Sequence, residues 1–140
     1  MPIDAVAHMR AYFMAFNAHD YTRLVDFYAP DVELIIGNGT TLRGRQAIVD
    51  FYSHVNDATT RQIELLQAWS DGDAIAAEIQ SEFLAIRDAP DFTSGPMLRG
   101  DRYYLNSFAL YNFGPDLRFT RVRAAVFRRE WRRLSATPAQ

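Results

Sequence analysis

The sequence predicts an α+β fold in one domain, with three helices first and an antiparallel β-sheet after them. Three observations predict it. As far as Val55, apolar residues recur at three- and four-residue steps. From Ile63 onward they alternate at every second position. No linker or repeat divides the 140 residues, so residues 1–134 read as a single domain and 135–140 as a disordered tail.

The first helix spans residues 4–17. Ile3, Val6, Met9, Tyr12, Phe13 and Phe16 form one apolar stripe, and Asp4 is placed to cap its start. Tyr12 lies in that stripe, so its hydroxyl is expected inside and in need of a partner. Asp20 caps a second helix through Leu24, Val25, Phe27 and Tyr28, which Pro30 ends. Residues 32–36 read as a strand, Gly37-Asn38-Gly39 as a turn, and Thr40-Thr41-Leu42 as a short return. A third helix, 45–55, buries Ile48, Phe51, Tyr52 and Val55.

Residues 63–69 form a strand and Asp71-Gly72-Asp73 a tight turn. In the long strand 74–86, Ile75, Ala77, Ile79, Ser81 and Phe83 face inward, and Glu78, Gln80 and Glu82 face outward. Residues 88–100 hold two Pro and two Gly and read as a loop able to act as a flap. Two further strands, 102–113 and 117–128, are joined by Gly114-Pro115-Asp116.

Composition narrows the function. Hydrophobic residues make up 49% and aromatic residues 14%, enough for a core and for the walls of a cavity. A net charge of -2 gives no basic excess for nucleic acid. Cysteine is absent, which removes disulfides, thiolate metal sites and a Cys nucleophile. Three scattered His without carboxylate spacing form no metal set. No apolar run is long enough for a membrane span or a signal peptide, so a cytoplasmic protein is expected.

The motif Phe16-Asn17-Ala18-His19-Asp20, then Phe27-Tyr28-Ala29-Pro30-Asp31-Val32, then Leu42-Arg43-Gly44-Arg45-Gln46-Ala47-Ile48-Val49-Asp50-Phe51-Tyr52 resembles the nuclear transport factor 2-like superfamily. That group includes SnoaL-like proteins and ketosteroid isomerases. The resemblance implies a cone-shaped, curved antiparallel sheet wrapped by the three N-terminal helices around a pocket. It implies a small apolar ligand and a homodimer through the sheet face. No cofactor is implied. The function expected is a cofactor-free isomerase, cyclase or dehydratase acting on a ring-bearing carbonyl or hydroxyl compound. The alternative is a non-catalytic ligand-binding or dimerising module of the same fold.

The resemblance to ketosteroid isomerase also implies site residues. Tyr12 matches the tyrosine that hydrogen-bonds a developing oxyanion, with Tyr52 in support. Asn106 matches the position of the second donor. The proton-moving carboxylate is missing, because Ile35 or Ile36 occupies its place, and Glu33 is the nearest candidate base. Phe16, Phe27, Ile36, Phe51, Tyr52, Trp69, Tyr104 and Phe108 are expected to line the pocket. Glu78 or Glu82 with Arg102, Arg121 or Arg123 is a further candidate cluster, on neighbouring strands.

Overall fold

The computed structural model describes residues 4–134. The expected tail from Ser135 lies outside them. Helix α1 (Ala5–Asn17) begins where the Asp4 carboxylate accepts the Ala7 N–H at 3.0 Å. Helix α2 (Tyr21–Val25) begins the same way, with Asp20 accepting the Arg23 N–H. Strand β1 (Tyr28–Ile35) and the short β2 (Thr41–Arg43) form a hairpin, and helix α3 (Arg45–Ala58) follows. Gly44 opens α3 at φ 85°, a left-handed conformation that favours glycine. Four long strands complete the chain: β3 (Thr59–Asp71), β4 (Ala74–Ala85), β5 (Arg102–Phe113) and β6 (Phe119–Arg132).

The six strands form one sheet of order β2-β1-β6-β5-β4-β3. The helices pack on its inner face. The sheet is mixed: β1 runs parallel to β6, and the other neighbours are antiparallel. This corrects the expectation of a wholly antiparallel sheet. It also corrects the second helix, which stops at Val25, so that Tyr28 and Pro30 belong to β1. Pro30 is tolerated there because the register with β6 breaks between Tyr28 and Glu33, where no N–H is required of it.

Along β4 burial alternates without a break, with the odd positions inside. The register carries that alternation across the sheet. Opposite them on β5 stand Leu105, Ser107, Ala109 and Tyr111, also facing inward. Tyr104, Asn106 and Phe108 face outward with Glu78, Gln80 and Glu82. The loop between β4 and β5 is anchored rather than loose. Its Ala89, Phe92 and Met97 are buried with Phe83 and Tyr103 in a second small core. Asp101 is buried and accepts the backbone N–H groups of Leu98 and Leu134, both at 2.9 Å.

Asn17 ties the helical layer to the sheet. Its amide accepts the Ile63 N–H at 2.8 Å and donates to the Ile63 carbonyl at 3.0 Å. Strand β3 is an edge, so these backbone groups have no neighbouring strand on that side. The asparagine of the sequence motif therefore stands in for a missing strand.

Candidate functional site

A cavity of about 110 Å³ lies between the helices and the inner face of the sheet. Its walls are mainly apolar: Phe13 and Phe16 of α1, Phe51 of α3, and Ile63, Ile79 and Val122 of the sheet. Its mouth is marked by four exposed polar residues, Asn38 after β1, Thr93 and Ser94 of the β4–β5 loop, and Arg129 of β6. Gly37 lines the same rim because β6 passes close there. A Cβ on Gly37 would sit 2.4 Å from Val126 Cγ2.

The other polar groups of the lining are the buried Tyr12, Tyr52, Tyr111 and Ser107 and the half-buried Arg61. The Tyr12 and Tyr28 hydroxyls share a hydrogen bond of 2.5 Å. Burial is the main cause that pushes the Tyr12, Tyr28 and Tyr111 hydroxyls well above the usual tyrosine range, with neighbouring phenols adding to it and the Arg61 guanidinium opposing it. All three are neutral phenols at physiological pH and act as hydrogen-bond donors, not as bases.

Arg61 reaches into the cavity from β3, opposite Phe83 of β4. Its guanidinium lies 5.0 Å from the ring centroids of Phe16 and Phe83 and 5.7 Å from that of Tyr52. Its Nε and one terminal nitrogen donate to Ser81 Oγ at 3.3 and 3.0 Å. The sequence reading missed Arg61 because it began β3 at Ile63. With β3 starting at Thr59, Arg61 shares the inner face with Thr59, Ile63 and Leu65.

The structure separates the expected site residues. Tyr12, Phe16, Ile36, Phe51 and Tyr52 line the cavity. Asn106 does not. It faces outward between Gln80 and Arg128, and Ser107 holds the inward position beside it. Glu33 also faces outward, bound to Arg43 at 2.6 Å and Arg121 at 3.4 Å. Leu34 and Ile36, its neighbours in alternation, take the inner face. Phe27 packs behind Tyr12, its ring centroid 5.4 Å away, without lining the cavity. Trp69, Tyr104 and Phe108 stand on the outer face. The expected carboxylate–guanidinium cluster divides into separate outer-face pairs. Glu82 binds Arg102, Glu33 binds Arg121, and Glu78 accepts from Gln67.

Among the described residues, no Asp, Glu or His lines the cavity. His54 pairs with Asp91 at 2.8 Å outside it. His8 is held among aromatic edges at 5.6 Å from Phe27 and Phe119. Among the described residues, no three His, Asp or Glu side chains converge as metal ligands, and no helix is long and apolar enough to cross a membrane.

Six strands, three helices on one face and a cavity between them define an open cone of the nuclear transport factor 2-like kind. Residues 9–121 match the SnoaL-like domain, and the chain belongs to that family. It is similar to a candidate polyketide cyclase of Xanthomonas campestris pv. campestris, with 23% identity, a TM-score of 0.73, and 86% of this chain and 87% of that one covered. It is similar to a LEH-like epoxide hydrolase of M. tuberculosis, with 14% identity, a TM-score of 0.66, and coverage of 85% and 79%. A computationally designed 17-OHP binder shares the fold at 16% identity and a TM-score of 0.71, with coverage of 91% and 97%. At these identities the likeness shows the fold alone. No curated protein sequence matches the chain.

Proposed function

We propose that the cavity binds a small, apolar, ring-bearing molecule and polarises a carbonyl or hydroxyl oxygen on it, for isomerisation, cyclisation or dehydration without a cofactor. One observation carries this reading: an apolar cavity lined by the phenols of Tyr12, Tyr52 and Tyr111 and by the guanidinium of Arg61. Such a lining is complementary to negative charge developing on oxygen. Tyr12 is the proposed donor to that oxygen. The Tyr12 and Tyr28 hydroxyls are hydrogen-bonded, and when Tyr28 is the donor the Tyr12 proton is free for the ligand. Tyr111 and Ser107 replace Asn106 as candidates for the second donor. The candidate polyketide cyclase, the epoxide hydrolase and the designed binder support a ligand cavity in this fold.

The absence of Asp, Glu and His from the lining favours a second reading, a ligand-binding module without turnover. A thermal-shift screen of wild type and Tyr12→Phe against phenols, terpenoids, aromatic polyketides and steroids tests both, followed by turnover assays on every hit. A hit that weakens in Tyr12→Phe and is consumed by wild type supports the catalytic reading. A hit that binds and is never consumed supports the module. Binding and turnover that are both indifferent to Tyr12→Phe refute the assigned role.

A homodimer through the outer sheet face and a cytoplasmic location belong to the same proposal. Trp69, Phe108 and Phe127 stand about half exposed on that face, at 49%, 49% and 54%. Acidic Glu78 and Glu82 lie on β4, and basic Arg121, Arg123 and Arg128 on β6. A two-fold axis would set one edge against the other. Light scattering is expected to give a dimer for wild type and a monomer for Phe108→Asp. A monomeric wild type refutes the dimer.

A further inference from the structure

The cavity holds a charge with no counter-charge. Arg61 makes no ion pair with any described residue, and the lining supplies no carboxylate. A guanidinium has five N–H donors in a planar fork. Here Nε and Nη2 share one serine oxygen, and Nη1 donates to no described residue. The rings of Phe16, Tyr52 and Phe83 surround the cation at 5.0–5.7 Å, and none of them supplies an acceptor for its remaining N–H groups. The second cation of the lining, Arg129, stands exposed at the mouth, so both charged side chains of the lining are positive.

Size sets the rest of the ligand. A dry cavity of roughly 150 Å³ takes up benzene. At about 110 Å³ this one is on the scale of a single ring. We infer that the ligand is a monocyclic carboxylic acid whose carboxylate is held by Arg61 and whose ring is packed among Phe16, Phe51 and Phe83. The inference rests on the reading of the cavity as a ligand site, and it narrows the ligand to an anion.

Matched probes test it. Benzoate and benzamide have nearly the same shape and differ in charge. Titration calorimetry of the purified full chain is expected to show benzoate binding at least about tenfold more tightly than benzamide, the scale of a charge-assisted hydrogen bond. Arg61→Gln is expected to remove that preference, and Arg61→Lys to keep part of it. A merely structural Arg61 would move the melting temperature and leave the benzoate-to-benzamide ratio alone, so both are read on each variant. Equal binding of the two probes, or a benzoate preference that survives Arg61→Gln, overturns the carboxylate inference and leaves the cavity reading standing. Binding of neither probe overturns the inference as well. In that case a hit from the neutral phenols or terpenoids would show that the cavity reading survives without it.

Discussion

The Tyr12–Tyr28 hydrogen bond makes an asymmetric prediction about stability. Both phenols are buried, at 4% and 0% exposed, and neither hydroxyl has another partner among the described residues. They differ in one respect: Tyr12 lines the cavity and Tyr28 does not. Tyr28→Phe therefore leaves a Tyr12 hydroxyl that cavity water can satisfy, and it is expected to cost about 0.5–1 kcal/mol. Tyr12→Phe leaves the Tyr28 hydroxyl sealed and unpaired, at a cost of about 2 kcal/mol. At roughly 4 °C per kcal/mol for a chain of this size, that is a fall of about 8 °C in melting temperature. The double variant removes both polar groups together. It is expected to lie within about 1 kcal/mol of wild type, above Tyr12→Phe, which gives a coupling of about 1.5–3 kcal/mol. Urea unfolding of the four proteins measures the cycle, with unchanged m-values as the control for a common unfolded state. Single effects that add to within about 0.5 kcal/mol would refute the reasoning, since additivity means the two hydroxyls do not depend on each other.

Three further outcomes follow from single contacts. Asn17→Ala strips two hydrogen bonds from the Ile63 backbone and is expected to lower stability by about 1–3 kcal/mol, read by thermal melts, with Asn17→Asp recovering only the bond from the Ile63 N–H. Gly37→Ala places a Cβ 2.4 Å from Val126 Cγ2 and is expected to cost about 1–3 kcal/mol, of which Val126→Ala restores most. His8 is half-buried, and burial depresses its pKa below the usual 6.5 against a smaller opposing backbone hydrogen bond at Leu117. The unfolded chain thus binds the proton first, so this contribution is complete above pH 6.5 and is lost as pH falls through the folded value. His8→Gln is expected to flatten the fall in melting temperature between neutral pH and pH near 5.5, and an unchanged profile would refute the assignment.

What the sequence made legible was local. Asp4 and Asp20 mark helix starts because a carboxylate at that position accepts the first free N–H groups, and both do so here. The alternation of β4 is legible because one of its faces is charged and the other apolar. The start of β1 was not, since Phe27-Tyr28 reads equally as helix or strand. What decides it is pairing of Tyr28 with Phe119, 91 residues further along the chain. The β4–β5 loop misled in the opposite direction. Its prolines and glycines signal a turn, but what anchors it is the burial of Phe92 and Met97 against a strand still to come.

The candidate site shows the same division, and its error has a physical source. On β5 both faces carry large apolar residues: Tyr103, Leu105 and Tyr111 inside, Tyr104, Phe108 and Leu110 outside. Alternation therefore gives no contrast there, and a shift of one position turns Asn106 outward and Ser107 inward. Tyr12 escapes this ambiguity because a helical stripe fixes its face through six residues at once. Arg61 was within reach of the same logic. Thr59, Arg61, Ile63 and Leu65 occupy one face of β3, and Thr60, Gln62 and Glu64 the other. An arginine on the apolar side of a strand breaks the pattern of its face and marks the position as a candidate for a site. The residues around this one supply rings and a serine but no acid, and that is the signal that singles it out.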